Sequence, residues 1–472
     1  MLLSRIFSLE TLSNRKLLVF VGIVHLITAF FSEGFFQFDE HFQILEFLGH
    51  KLNGTSANDL PWEYREQIRP WFQVLLYYII LLPLKSLGLT SPFIQATLLR
   101  IVTSAFSIAS LFYLKDYLPL KEKRQKLVFL VLSLTWFAPM IHVRASSENL
   151  SASFIFFGLV LLFKNLKNET IIKGILAGLA LGGAYLVKSQ LSVAVAFLWF
   201  WLVLFNHKAW RTYLGVSLGI LITIGLGVVI DYWGYQEWTF TTLNYFKVNI
   251  LEDRVSGFGI DPWWNYLKYS FMKGIPLLSL PFILGTFYYW YKKPKDPITW
   301  LTLPFFLIHC FIGHKELRFI FLVVLLSPYM MIYAAEQLNL LKSSKIRIFV
   351  MINFILLTGA SFKAANSGIR FYKYLHDEEI KEVKALDEDP MTMVGLKLNF
   401  YHPKDLNVQV KKEFAPNETG LLFFKSGSKY FEYSKKKNCS LNYLSYPKFS
   451  LKFNIGNWIS RSRVWSLWNC TK

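Results

Sequence analysis

Apolar stretches close to twenty residues long recur along most of this chain, and no other feature narrows its fold so far. They fall at about 17–31, 72–90, 93–114, 126–142, 150–164, 170–187, 190–206, 212–230, 274–291, 298–313, 317–335 and 346–362. A helix needs roughly 20 such residues to cross the hydrocarbon core, where the backbone must satisfy its own hydrogen bonds. The expected fold is an all-α polytopic membrane protein with roughly 11–13 transmembrane or re-entrant helices. A hydrophobic content of 53% with 18% aromatics fits that class and excludes an average soluble domain. The formal net charge of +20 would suggest nucleic acid in a soluble protein. Here no nucleic-acid motif accompanies it, and the basic residues gather in short loops between apolar runs.

Those basic loops orient the chain. Arg5, Arg15 and Lys16 precede the first run, and no small-residue cleavage site follows it, so the run reads as a retained anchor with a cytoplasmic N-terminus. Further clusters lie at Lys121/Lys123/Arg124, Lys164/Lys167/Lys173, Lys208/Arg211, Lys292/Lys293/Lys295 and Lys342/Lys345/Arg347. Placing all of them in the cytoplasm lets the runs from 126 to 362 alternate without conflict. Residues 143–149, 231–273, 313–316 and the tail then lie outside. Two runs, 72–90 and 93–114, stand where an odd number of crossings is needed, so one of them is expected to be re-entrant or interfacial.

The domain expectation is a membrane domain over 1–363, with extracytoplasmic loops 33–70 and 231–273, followed by a soluble extracytoplasmic domain over 364–472. That tail is expected to be α/β or mostly β, with strand-like runs at 420–424 and 448–453 between lysine-rich turns. Glu40, Gln43 and Phe47 share helical spacing, so short helices lying on the membrane are expected in the first loop. Cys439 and Cys470 would bridge if the tail faces an oxidising compartment, but their spacing alone leaves this open. Glycosylation triplets begin at Asn53, Asn417, Asn438 and Asn469 on the outer side and at Asn168 on the inner, so they do not fix the compartment.

Four polar clusters fall on the outer side. The first is Asp39-Glu40-His41-Phe42-Gln43. The second runs from His142 through Arg144 to Glu148 and Asn149. The third opens at Asp231 and continues to Asn244 and Lys247. The fourth is Gly313-His314-Lys315-Glu316-Leu317-Arg318-Phe319. Each has a plain structural explanation. Arg144 and Glu148 form an i,i+4 pair, Lys315 and Arg318 are placed to snorkel, and Trp263 and Trp264 suit an interfacial belt. Together they place acids, a histidine and cations on one face of a membrane protein, where ionisable groups are costly and usually functional. The joint reading is a polar cavity for an anionic, lipid-linked substrate.

These four clusters, in this order over residues 35–335, resemble glycosyltransferase family twenty-two of the GT-C superfamily. Its members are polyprenyl-phosphate-mannose-dependent α-mannosyltransferases of GPI-anchor and N-glycan precursor assembly. The most specific elements are His314-Lys315-Glu316-Leu317-Arg318-Phe319 and the span from Asp231 to Asn249. The family usually has His-Pro before the acid pair; this chain has Gln37-Phe38. The resemblance implies mannose transfer with inversion to a lipid-linked glycan, with Asp39 as base and Glu40 as its alternative or orienting partner. A base is needed because a sugar hydroxyl must lose its proton as attack develops. His314, Lys315, Arg318 and Arg144 would hold the donor phosphate, for which arginine's planar fork is well shaped. Glu316 would hold one of these cations in place. His41, Gln43, Glu148, Asp231, Asn244, Lys247, Trp263 and Trp264 are the remaining candidates for substrate binding. No cofactor is expected. A divalent metal on Asp39 and Glu40 is chemically feasible, but a single-phosphate donor needs one less than a nucleotide sugar does.

The expected partners are membrane lipids, the polyprenyl-phosphate sugar and the glycan acceptor. Endoplasmic reticulum and bacterial inner membrane both fit, with the site facing lumen or periplasm. The nearest rival is another polyprenyl-phosphate-sugar transferase or a lipid-linked glycan polymerase. A lipid or glycan transporter would show internal repeats and broken helices near the midplane, and the chain shows no repeat.

Overall fold

The computed structural model describes residues 13–120, 122–342, 344–403 and 405–472. Arg5 and Lys121 of the basic clusters lie outside the described residues. Contacts divide the chain into two units. The first comprises 1–31, 62–81 and 97–363; the second comprises 32–61, 82–96 and 364–472. The polar loop carrying Asp39 and Glu40 thus folds with the C-terminal residues, from which it is separated by some 300 residues of sequence.

The expected membrane class holds. Among the described residues, five helices are long and apolar enough to cross a bilayer: Asn14–Phe31, Pro92–Tyr117, Ser147–Lys167, Trp210–Tyr235 and Leu317–Gln337. Five shorter apolar ones are Phe72–Ser86, Ile171–Val187, Ser189–Phe205, Pro297–Phe311 and Arg347–Ser361. These ten match ten of the twelve apolar runs. The other two runs are broken, each at proline. Pro139 has no N–H to give Thr135, so the run at 126–142 divides into Glu122–Leu134 and Ala138–His142. The opened backbone is satisfied by Asn353, which accepts from Trp136 N–H at 2.9 Å and donates to Leu134 O at 2.9 Å. In an apolar surrounding such a repair is obligatory. The run at 274–291 begins its helix only at Leu280, because Gly274 ends Asn265–Lys273 and Pro276 lies between Ile275 and Leu277, both at positive φ.

The tightest packing in the first unit joins Ile171–Val187 to Trp210–Tyr235. Gly174 and Gly178 on one helix meet Gly215 and Gly219 on the other, backbone against backbone. A methyl on Gly178 would collide with the Val216 carbonyl, and one on Gly219 with the Ile175 carbonyl. In lipid no hydrophobic force pulls helices together, so such small-residue stripes let dispersion and close approach do it. The helix Trp210–Tyr235 also runs through residues expected to open the second polar loop. Asp231 is therefore helical, and the helix ends at Gln236 in the left-handed conformation.

In the second unit the strands are β1 (Glu382–Leu386), β2 (Thr392–Met393), β3 (Leu396–Lys397), β4 (Asn407–Lys411), β5 (Gly420–Phe424), β6 (Cys439–Leu444) and β7 (Ser466–Cys470). Five form a mixed sheet in the order β4-β1-β5-β7-β6, with β1 parallel to both neighbours; β2 and β3 form a small antiparallel hairpin. Alternation along β5 sends Phe423 to Phe371 of helix Ser367–Asp377, and Leu422 and Phe424 to Tyr433 and Trp468 on the other face. Lys384 on β1 and Lys411 on the adjacent β4 both hold Glu418 and keep its carboxyl down at about 2. Cys439 and Cys470 are bridged.

The strand expected at 448–453 is absent. Ser450–Lys452 is a short helical turn, set by hydrogen bonds from Ser450 N–H to Pro447 O and from Lys452 N–H to Phe449 O. The alternation of Phe449, Leu451 and Phe453 there buries only Leu451.

The glycine contact is directly testable. Gly→Ala in a free helix face stabilises by up to ~1 kcal/mol, and Gly225 has nothing within 4 Å of an added methyl. Gly178→Ala should instead lower stability by about 1–3 kcal/mol through overpacking, while Gly225→Ala should not. Thermal unfolding of both variants in detergent checks this; equal melting temperatures would refute the close contact.

Candidate functional site

In the second unit, the acid pair sits on a one-turn helix, Phe38–Glu40, continued by a wide turn His41–Leu45 and the helix Glu46–Leu52. The short helices expected in this loop are present. Glu40 is buried and accepts from the Phe36 N–H at 3.2 Å; Asp39, beside it, is half-buried. His41 is fully enclosed. Its Nε2 lies 2.7 Å from Glu46 Oε1, and its ring stacks on Phe35 and Tyr401. Glu46 Oε1 also accepts from the Phe400 N–H at 3.0 Å. Glu33 begins the loop in the same manner: its carbonyl accepts from Ala365 and Asn366, and its carboxylate meets Arg370 and Lys373. These contacts fix Asp39 and Glu40 to residues 365–401. His41 thus shapes the acid loop from inside, and Gln43 is buried alongside it.

In the first unit, Glu148 lies in the first turn of Ser147–Lys167, whose start is capped by Ser146. Its Oε1 is 2.9 Å from Lys188 Nζ and 3.7 Å from Arg318 Nη1. Arg318 in turn grips Glu316 through both forks of its guanidinium, at 2.9 and 2.8 Å, and His314 Nε2 lies 3.3 Å from Glu316. Glu148, Lys188 and Arg318 are all buried. The structure therefore brings Glu148, Arg318 and His314 into one chain of polar contacts, with Glu316 holding Arg318. Arg144 is buried four residues before Glu148, in a turn held by Asn149, whose amide donates to the carbonyls of His142 and Arg144.

Other expected site residues have structural partners. Lys315 is buried and donates to the carbonyls of Ile312, Gly313 and Asp261. Together with the Asp261 N–H bond to Gly313 O, this clips the 261–265 turn, and with it Trp263 and Trp264, against the 313–316 turn. Both tryptophans are exposed, at 64% and 45%. Asp231 accepts from Trp71 N–H at 2.9 Å and from the Thr241 hydroxyl at 2.8 Å, tying three segments together. Asn244 donates to Gln67 O and Thr239. Lys247 is exposed, with Glu252 at 3.9 Å. Sequence reasoning missed Lys188. Its signal was a single lysine in the gap between the apolar runs 170–187 and 190–206, where a charge calls for a partner.

A family model described as the Alg9-like mannosyltransferase family matches residues 16–394. GPI mannosyltransferase 3 of Candida albicans is 26% identical over 349 residues, covering 72% of this chain and 68% of that protein. GPI alpha-1,2-mannosyltransferase 3 of Bos taurus is 23% identical over 347 residues, covering 70% of this chain. The chain spans 60% of the bovine protein's length. Among solved structures, ArnT from Cupriavidus metallidurans bound to undecaprenyl phosphate superposes with a TM-score of 0.55 at 12% identity, over 96% of this chain and 97% of that one. That likeness establishes a shared fold.

The buried charges make a quantitative expectation. Glu148→Gln leaves Lys188 without its carboxylate in a low-dielectric site, which should cost about 3–5 kcal/mol. Adding Lys188→Met removes the stranded charge and should recover more than half of that loss. Thermal unfolding of the two single variants and the double variant measures the coupling; simple additivity would refute it.

Proposed function

The chain belongs to the Alg9-like mannosyltransferase family, and from that premise we propose that it is an inverting α-mannosyltransferase. It moves mannose from a polyprenyl-phosphate mannose to a lipid-linked glycan of the GPI-anchor type. The acceptor class follows the names of the Candida and bovine relatives, and the α-1,2 linkage in the latter's name is the first to assay. The donor class rests on one observation above all: two cations, Lys188 and Arg318, are held buried on a shared carboxylate within an apolar unit. Such cations suit the single phosphate of a lipid-linked phosphodiester, whose departure leaves a more highly charged phosphate monoester. The sequence has no glycine-rich loop of the kind that cradles nucleotide phosphates.

In the reaction, the acceptor hydroxyl attacks C1 of mannose while Asp39 takes its proton. The bond from C1 to the phosphate oxygen breaks, and polyprenyl phosphate departs with the electron pair. Attack opposite the leaving group converts a β-mannosyl phosphate into an α-mannoside. Glu40, fastened to the Phe36 N–H, orients Asp39. Arg318, Lys188, His314 and Arg144 stabilise charge gathering on the phosphate, and preorganised donors in a water-poor site do this best. Glu148 and Glu316 hold those cations ready, and Trp263 and Trp264 stack on sugar or lipid. Asp39→Asn should lower transfer from polyprenyl-phosphate mannose by about 10²–10⁴-fold with normal membrane insertion. A variant retaining near wild-type transfer would remove Asp39 from this role.

The Cys439–Cys470 bridge supports an oxidising, non-cytoplasmic location for the tail. In sealed vesicles with the cytoplasmic face outward, a permeant reductant should free both thiols. A membrane-impermeant maleimide should then label them only after detergent is added. Labelling before detergent would place the tail on the cytoplasmic side.

A further inference from the structure

The last forty residues of the second unit carry a surface that neither the fold nor the proposed chemistry uses. Residues 433–472 contain six lysines, two arginines and no acid. Within them, residues 446–458 form a loop whose apolar side chains point outward. Phe449 is 66% exposed, Phe453 65% and Ile455 83%, and Lys448 and Lys452 are exposed between them.

This loop is built, not slack. Leu451 packs with Ile459 and Val464 in a small core of its own. Trp458 donates its indole N–H to Phe453 O at 2.8 Å and sets its ring edge-on to Tyr446. Asn454 accepts from the Ile459 N–H at 3.1 Å, and Arg461 donates to Gly456 O. A loop free to collapse would bury two phenylalanines and an isoleucine; here the hydrogen bonds hold them out.

We propose that this loop docks the C-terminal unit onto the bilayer surface, with Phe449, Phe453 and Ile455 inserted at the headgroup–acyl boundary and Lys448 and Lys452 among the phosphates. Aromatic rings favour that layer, and lysines that keep their heads at phosphate level cover the apolar insertion. With six lysines, two arginines and no acid, residues 433–472 are complementary in charge to anionic lipid.

The test uses the full chain reconstituted in nanodiscs, with a nitroxide attached at Phe453→Cys, at Ile455→Cys, and at Asn417→Cys as an exposed control on another loop. All three positions are exposed, so the label disturbs little packing. Power saturation with oxygen, which partitions into lipid, and with a water-soluble nickel chelate reports where each probe sits. The expected oxygen-to-nickel accessibility ratio is several-fold higher at 453 and 455 than at 417, and Lys448→Glu with Lys452→Glu lowers it in discs containing anionic lipid. Ratios at 453 and 455 equal to that at 417 would overturn the proposal. Protection of both probes from oxygen and nickel alike would also overturn it, because that signature belongs to a covering protein surface.

Discussion

Glu148 is the residue on which the first unit's polar architecture depends. A carboxylate in an apolar unit has to be matched, and Glu148 is matched from two directions. Lys188 comes from the break between Ile171–Val187 and the turn Ser189–Leu191, and Arg318 from the turn Leu317–Ile320. Three elements distant in sequence are thereby fixed at one point. The cost of burying these ions is offset only if each is hydrogen-bonded, and Arg318 meets that condition by taking Glu316 bidentately as well. Arg318, shared between two carboxylates, is thus held in place without belonging to either alone.

The acid loop solves a different problem with the same means. Asp39 and Glu40 stand on a single helical turn, too short to hold itself. Its rigidity is supplied by residues more than three hundred positions away. Glu33 reaches 365–373, and Glu46 joins His41 to Phe400. The C-terminal residues are therefore part of the acid loop's fold. A truncation that spared every membrane helix would still release the acids.

The membrane class was legible because apolar length is a one-dimensional property, and ten of the twelve runs are helices where expected. The breaks at 135–137 and 274–279 were less legible. Prolines mark them, but a proline in an apolar run kinks or ends a helix according to what repairs the backbone, and Asn353 is remote in sequence. The same limit hid Lys188, whose role exists only through Glu148, and the enclosure of His41, which depends on Tyr401. It misled at 448–453, where alternation suited a strand but Pro447 and the turn hydrogen bonds settled the conformation. Residues read as polar loop, such as Asp231 and Asn244, proved to be ties between segments, because a charge pattern shows which side of the bilayer a residue serves and says nothing of its partner.

Gln37-Phe38 can now be weighed against the His-Pro that the family resemblance leads one to expect. A proline at the first position of a helix presets φ and gives up an N–H that has no helical acceptor in any case. Phenylalanine there loses the preset and brings a ring instead. Phe38 lies between Phe35 and Phe42, with centroids at 6.2 and 6.3 Å, and the turn still closes through Glu40 N–H to Gln37 O at 3.1 Å. Aromatic packing thus replaces the ring constraint, and the acids keep their turn. What changes is the surface beside them. Phe38 remains 46% exposed and Gln37 is exposed at the helix start, so an apolar face and an amide flank Asp39. In the proposed reaction those groups stand beside the carboxylate that the acceptor must reach. Under the proposed mechanism the substitution bears on which acceptor is admitted and leaves Asp39, the proposed base, intact.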